Sequence, residues 1–392
     1  MGTLKVTVIT AFPEFINSFL HTSIVGRAIE GGLIEVRAVD IRDFAEGNYR
    51  QIDDYSFGGK GGMTIMPEIL YKALQSVKNG RTKVLFPTPV GAVLTQDLVE
   101  ALSAETRLED KDIVIICGHY EGLDERFVAK YVDLEYSIGD YVLTGGEIPA
   151  MVLIDALSRL VPGVVGKKLS VTDDSFYNGM LDTPHFTRPA EWQGIEVPEE
   201  LLSGNDAVIE KWRKRTAAAL TLSRRPDLLA RANVIDYLEC EAYLAIEVDP
   251  DQSNLIEELS FISKCAQCYG IVRTIAIPNS YESFNKLRKK LSALPEIKCV
   301  PSANRMADWA NRKKRGTLNI IAAEVQGGIP WLDAKRRLVE SDGPVLILFG
   351  KTPKITPGCT KVTLMRPQKT IGGVLPRTAL VSATLDRFFG PR

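Results

Sequence analysis

The sequence predicts an α/β protein whose strands form a mostly parallel sheet. Three observations carry that expectation. Residues 3–168 alternate strand-like and helix-like pieces, the pattern of repeated βα units. The apolar run Ile113–Cys117 stops abruptly at Gly118, as a buried strand does on entering a tight turn. A second strand-like piece, Tyr136–Leu143, ends in Thr144-Gly145-Gly146-Glu147. Two glycine-terminated strands whose loops must meet at one point are how open α/β sheets build ligand sites beyond their strand ends.

Apolar patterning places strands at Lys5–Thr10, Ile34–Asp40, Lys83–Pro87, Asp112–Cys117 and Leu134–Ser137. Helices are expected around Phe15–Glu30, Glu68–Val77, Thr95–Ala101, Glu121–Tyr131 and Ile148–Leu160. Residues 169–178 (LSVTDDSFYN) are polar, lack apolar periodicity and read as a mobile linker. Residues 205–230 read as helical, with Val208, Ile209, Trp212 and Leu220 on the apolar side and Lys211, Arg213, Lys214 and Arg215 over much of the rest. From about Tyr237 a second α/β series begins. Its strands are Tyr243–Val248, Ile271–Ile277, Leu318–Val325 and Val345–Gly350, and it closes with an apolar helix, Thr378–Phe389. These 155 or so residues (237–392) are the size of one domain.

Composition excludes several classes. The 392 residues are 45% hydrophobic and 25% charged, as in ordinary globular proteins. No apolar run reaches the roughly 20 residues of a membrane span, so no membrane partner is expected. The first residues, MGTLKVTVITAF, read as a strand and not as a signal peptide, which implies a cytoplasmic location. Cysteines at 117, 240, 265, 268, 299 and 359 form no disulfide framework. Cys265 and Cys268 make a CxxC in helical periodicity with no second pair, which reads as buried helix thiols. With three His in all, a His-based zinc site is not expected. Net charge is −1, so any nucleic-acid contact must come from local patches at 211–215, 286–290 and 312–315. No GxGxxG fingerprint is present, which speaks against a dinucleotide site.

Seven motifs stand in order along the first part of the chain. They are FPEF (12–15), YRQIDDYSFGGKGGM (49–63), CGHYEG (117–122), YSIGDYVLTGGE (136–147), DDSFYNGMLDTPHFTRP (173–189), LLSGND (201–206) and RRPDLL (224–229). With these, residues 3 to about 230 resemble the bacterial tRNA guanosine-37 N1-methyltransferases, the TrmD family of SPOUT methyltransferases. The resemblance implies a trefoil-knotted cofactor domain over 1–168 and a linker over 169–178 that carries a catalytic Asp. It further implies a small helical tRNA-binding domain over 179–236 and a homodimer as the working unit. Residues 237–392 resemble the S-adenosylmethionine-dependent RNA methyltransferases often encoded beside TrmD, through PVLILFG (344–350), LMRP (364–367) and LPRTALVSATLDRFFG (375–390). That implies a second α/β-knot domain.

Methyl transfer needs a sulfonium donor held in place, a nucleophilic acceptor nitrogen and their alignment. Backbone groups of glycine-bearing loops can hold an adenine edge, and three such loops are present: 87–91, 118–122 and 138–146. Taken singly, each reads as a turn. In the resembled family they form the knot and cradle S-adenosylmethionine, which assigns Pro87, Gly118, Tyr120, Ile138, Gly139, Asp140, Tyr141, Val142, Leu143, Gly145, Gly146 and Pro149 to the donor. Guanine N1 carries a proton at neutral pH, so a carboxylate general base is useful. The family's catalytic aspartate falls on Asp174, fifteen positions after Arg159. Arg159 near guanine O6 would stabilise the charge that develops there, and Glu121 is a further catalytic candidate. The resemblance adds Mg2+ as a requirement, although no metal-ligand cluster is legible. His119 stands where the family pattern has Arg, Lys60-Gly61-Gly62 replaces a loop richer in glycine and proline, and Val90-Gly91-Ala92 replaces a Gln-Gly-Arg-like segment.

In the carboxyl segment Phe349, Gly350, Met365 and Leu375 are the cofactor candidates, and Arg366, Arg377 and the basic run at 312–315 are candidate RNA contacts. Ser253-Asn254 and Lys264 stand where knotted ribose methyltransferases carry an Asn and an Arg, and no Glu follows Gly350. Both a second RNA methyltransferase and a non-catalytic RNA-binding or dimerising module remain open. Every residue assigned to guanosine methylation lies before Pro189, so residues 237–392 are expected to be dispensable for it.

Overall fold

The computed structural model describes residues 3–58, 61–165, 174–176, 179–230, 232–238, 240–302, 305, 319–324, 328–341, 343–349, 359–363 and 376–390. The chain divides into two compact units, 1–172 and 173–392.

The first unit runs β1 (Leu4–Thr10), α1 (Pro13–Leu20), α2 (Ser23–Glu30), β2 (Ile34–Asp40), β3 (Asp53–Tyr55), β4 (Met63–Ile65), α3 (Pro67–Val77), β5 (Thr82–Val93), α4 (Gln96–Leu108), β6 (Asp112–Ile116), α5 (Glu125–Tyr131), β7 (Leu134–Ser137) and α6 (Glu147–Arg159). Five strands form a parallel sheet in the order β2-β1-β6-β5-β7. Successive strand residues face opposite sides, and both sides are covered at β6, which is why Ile113–Ile116 reads as an unbroken apolar run. Ile113 and Ile115 of β6 pack with Ile16, Leu102 and Leu153 of α1, α4 and α6. Val114 and Ile116 pack with Leu70, Leu74 and Phe127 of α3 and α5. Helix starts are capped locally: Thr95 Oγ1 accepts the Leu98 N–H at 3.3 Å, and an Asp124 oxygen accepts that of Arg126 at 2.9 Å.

Three expectations for this unit need correction. The single helix over Phe15–Glu30 is two helices. Thr22 Oγ1 donates to the Ser18 carbonyl at 2.6 Å, and Ser23 takes a left-handed φ of 56° that breaks the run. The strand over Tyr136–Leu143 ends at Ser137. There the Ser137 hydroxyl donates to the Gly139 carbonyl and accepts the Gly139 N–H, at 3.1 and 3.3 Å, so a side chain replaces the next ladder bonds. β5 continues past Pro87 to Val93 through a bulge, with Pro87 and Ala92 both opposite Tyr136.

The second unit runs β8 (Glu191–Trp192), β9 (Ile195–Glu196), α7 (Glu199–Leu202), α8 (Asp206–Arg224), β10 (Ala242–Val248), α9 (Leu255–Cys268), β11 (Arg273–Pro278), α10 (Phe284–Lys290), β12 (Ile297–Cys299), β13 (Asn319–Glu324), α11 (Trp331–Val339), β14 (Val345–Phe349), β15 (Cys359–Thr363) and α12 (Arg377–Phe389). Its six-stranded sheet is parallel, in the order β12-β11-β10-β14-β13-β15. Counted in chain order (β1, β2, β5, β6, β7 in one unit; β10, β11, β13, β14, β15 in the other), both sheets read second, first, fourth, third, fifth, with β12 added outside β11. The last helix packs on the helix that follows the first strand in each unit: α6 on α1, and α12 on α9.

The helical segment of this unit does not have a core of its own. Met180, Ala218, Leu229, Ala232 and Val234 are buried in one cluster with Leu244, Ile246, Leu338 and Phe388. α8 buries Ala217, Ala218 and Thr221, and Val208, expected on the apolar side, is exposed. A chain cut after residue 236 therefore exposes Leu229 and Val234, whose burial is worth about 1.5–3 kcal/mol each. Such a truncation is expected to lose the α8 helix signal in circular dichroism and to bind a hydrophobic dye. Retention of that helix signal would show that the segment folds without residues 237–392. In the CxxC, both cysteines lie on α9, but Cys265 is half-buried and Cys268 is exposed, on the helix face that turns away from the sheet.

Candidate functional site

β6, β5 and β7 are neighbours in the sheet, and because they are parallel their carboxyl ends lie together. Two of the three glycine loops foreseen in the sequence, 118–122 and 138–146, leave from the ends of β6 and β7, and the first, 87–91, is the bulge inside β5. In the first, Pro87 is buried, and the chain beyond it turns so tightly that Gly91 lies against the backbone of Tyr136. In the second, the Gly122 N–H donates to the His119 carbonyl at 2.9 Å, and the Glu121 N–H donates to the Met63 carbonyl at 3.0 Å. The Glu121 side chain lies over Gly62, and Tyr120 is exposed with a left-handed φ of 58°. In the third, Ile138 and Gly139 are half-buried, while Asp140, Tyr141, Val142 and Leu143 are exposed. The Tyr141 hydroxyl donates to the Ile138 carbonyl at 3.3 Å. Pro149, in the first turn of α6, is buried, and its carbonyl accepts the Tyr136 hydroxyl at 3.2 Å.

The second and third loops are joined to each other. The Gly146 N–H donates to the Gly118 carbonyl at 3.0 Å, and His119 and Gly145 form an isolated antiparallel bridge. A Cβ on Gly146 would stand 2.8 Å from the Cys117 Cα, and one on Gly145 would stand 2.3 Å from the His119 Cε1. Within the chain the glycine pair makes room for the neighbouring loop. Behind the joint lies a buried polar group that the sequence reading missed. Glu147 is 3% exposed, accepts the Thr10 hydroxyl at 2.5 Å, and has both carboxylate oxygens 2.9 Å from His119 Nε2. The Phe12 ring packs on the imidazole with centroids 4.8 Å apart. Burial, and then the Glu147 carboxylate, push the Cys117 thiol well above its usual range, so it stays protonated and inert. Burial likewise pushes the Tyr136 phenol up.

The catalytic candidates stand on different segments of the chain. Glu121 stands in the second loop. Arg159 is half-buried in the last turn of α6, and a helix of 13 residues sets it about 18 Å along the axis from Glu147 and the glycine loops. Asp174 is exposed at the start of the second unit. On α8, Lys211, Arg213 and Arg215 are exposed, Lys214 pairs with Glu210 at 3.5 Å, and the Trp212 ring stands 6.2 Å from that of Phe186. Of the carboxyl candidates, Phe349 ends β14 with its ring buried in the core, and Arg377 opens α12 with Nε 3.8 Å from Glu258. Gly350, Met365, Leu375, Arg366 and the run 312–315 lie outside the described residues, as does most of 169–178.

The family model described as tRNA (Guanine-1)-methyltransferase TrmD matches residues 4–231. The chain is similar to the tRNA (guanine-N(1)-)-methyltransferase of Ruminiclostridium cellulolyticum, 47% identical over 228 residues, which are 57% of this chain and 96% of that protein. It is similar to the enzyme of the same name from Moorella thermoacetica, 44% identical over 261 residues, covering 66% of this chain and 97% of that one. For the Clostridioides difficile enzyme of that name the identity is 42% over 234 residues, 59% of this chain and 99% of the other.

Proposed function

This chain belongs to the tRNA (guanine-1)-methyltransferase TrmD family, and we propose that it methylates N1 of guanosine 37 in tRNA, in the cytoplasm, with Asp174 as general base. The coarser activity, tRNA (guanine-N1)-methyltransferase with S-adenosylmethionine as donor, follows from the family and from relatives 42–47% identical. The observation that carries the finer reading is the joint between the glycine loops that follow β6 and β7, beside the β5 bulge at 87–91, inside the matched region.

The residues present fit the donor. Backbone N–H and C=O groups of 87–91 and 138–146 can meet an adenine edge. The carboxylates of Glu121 in 118–122 and Asp140 in 138–146, both exposed, suit a cationic centre. When bound, S-adenosylmethionine supplies an electrophilic methyl group on a cationic sulfur. Asp174 takes the proton from guanine N1, which frees the lone pair that attacks. Arg159 donates to O6, where negative charge gathers as the proton leaves, and its planar fork suits an oxygen acceptor. The exposed Lys211, Arg213 and Arg215 of α8 meet tRNA phosphates. For Mg2+ the fit is poor: among the described residues no three His, Cys, Asp or Glu side chains are grouped to hold an ion, and no step runs through one.

Arg159 and the glycine loops stand at opposite ends of α6, about 18 Å apart, farther than one side chain reaches. We therefore assign Arg159 and Asp174 of one protomer to the loops of its partner, in a homodimer of knotted domains. Exposed Ile148 and Val152, one turn apart on α6, and exposed Phe12 and Phe15 at the neighbouring start of α1 support a covered face there. Mixed dimers test the assignment. An Asp174→Asn protomer paired with a Leu143→Asp protomer should regain activity, because one of the two sites then has an intact loop and an intact base. Inactive heterodimers would place loop and base of each site in one chain.

For residues 237–392 the shared strand order supports a second knotted domain of the RNA methyltransferase type, binding RNA and dimerising. The missing Glu after Gly350 keeps a non-catalytic role beside a catalytic one. Calorimetric stoichiometry on the full chain separates them: two S-adenosylmethionine per chain favours a second enzyme, and one favours a module.

A further inference from the structure

We propose that Thr10, His119 and Glu147 form a positioning clamp that sets the affinity of the glycine loops for the methyl donor. This rests on the reading of loops 118–122 and 138–146 as the donor site. Each member comes from a different element: Thr10 ends β1, His119 lies in the loop after β6, and Glu147 opens α6 directly after the third loop. A carboxylate only 3% exposed is costly unless donors satisfy it. Here the Thr10 hydroxyl donates at 2.5 Å and His119 Nε2 lies 2.9 Å from each oxygen. A carboxylate that accepts from Thr10 leaves His119 the donor, so Nε2 carries the proton. The first turn of α6 adds its own favourable field for an anion. Thr10 is itself held, its hydroxyl oxygen accepting the Phe12 N–H at 2.9 Å. The clamp therefore fixes the second loop and the end of the third against the sheet, together with the Gly146–Gly118 bond. Without it the loops must be ordered by the donor as it binds, which weakens binding. None of the three groups is assigned to the N1 proton or to the O6 charge, so the chemical step keeps its own groups.

Full-length His119→Ala, His119→Arg and Thr10→Val proteins test this. S-adenosylmethionine is the calorimetric probe, and KM and kcat are measured with tRNA. His119→Ala should weaken donor Kd and raise donor KM roughly tenfold or more, as expected for loss of one charge-assisted hydrogen bond. At saturating donor, kcat should fall by less than about threefold, the mark of lost binding without lost transition-state contacts. His119→Arg should restore Kd, because a guanidinium can bridge both oxygens of Glu147. Thr10→Val should shift Kd the same way by less, and it covers the case in which His119→Ala does not fold. Unchanged Kd and KM in folded His119→Ala, or failure of His119→Arg to recover, overturns the clamp. A wild-type chain that takes up no S-adenosylmethionine overturns instead the reading of the loops on which the clamp rests.

Discussion

Replacing Asp174 with Asn is expected to leave donor binding in place and to slow methyl transfer by about 10²–10⁴-fold, the usual worth of a positioned general base. The amide keeps the shape and hydrogen-bonding reach of the carboxylate but cannot hold the guanine N1 proton. Asp174 is exposed in the chain by itself. Single-turnover rates with saturating tRNA and donor check the loss, and calorimetry checks that the donor still binds. Near-normal turnover in the variant would remove Asp174 from the reaction.

The second large effect is at Gly146. Gly146→Val would put a Cβ 2.8 Å from the Cys117 Cα and 3.0 Å from the Gly118 amide nitrogen, and backbone cannot give way as a flexible side chain can. The two loops must part, so the variant is expected to lose about 1–3 kcal/mol of stability, as overpacked sites do. Donor binding should be lost with it. Chemical denaturation and calorimetry read the two losses separately. Wild-type stability together with wild-type affinity would show that the loops do not depend on this joint. Gly145 meets its neighbour differently, since its Cβ would strike the His119 ring and the Glu147 carboxylate, both side chains.

Much of the first unit was legible because both sheet faces are buried. β6 is an apolar run, β1 and β2 largely alternate apolar with polar residues, and the ends of all three fall within a residue of expectation. The breaks were harder to see. Residues 138–143 are apolar and aromatic enough to read as strand, but the Ser137 hydroxyl captures Gly139 and ends the ladder. The split after α1 turns on one threonine hydroxyl and one left-handed serine, neither of which alters apolar periodicity. β12 spans three residues and β15 is the polar Cys359–Thr363, so neither gives a strand signal of its own. On α8 the buried side is made of Ala217, Ala218 and Thr221, small residues that carry little hydrophobic contrast, which drew the expected face toward Val208 and Trp212.

The site shows the same division. The glycine loop after β6 stands at a strand end, where the sequence placed it, because an apolar run that stops at Gly118 has few other readings, whereas 87–91 is a bulge within β5. Glu147 was invisible as a site residue. An acid in the first turn of a helix reads as a surface complement to the helix dipole, and its burial becomes apparent only when Thr10, 137 positions away, is folded beside it. Arg159 and Asp174 were assigned by motif, and the separation of Arg159 from the loops along α6 follows from an element length no motif reveals.

The identity of the methylated atom tests the reading most directly. The full-length protein is incubated with unmodified tRNA and S-adenosylmethionine labelled in its methyl group, and the tRNA is then digested and the labelled nucleoside mapped. The expected result is 1-methylguanosine at position 37 and no label in tRNA carrying adenosine there. Label on another base, on a ribose or at another guanosine would contradict it, as would no transfer by folded protein that binds the donor.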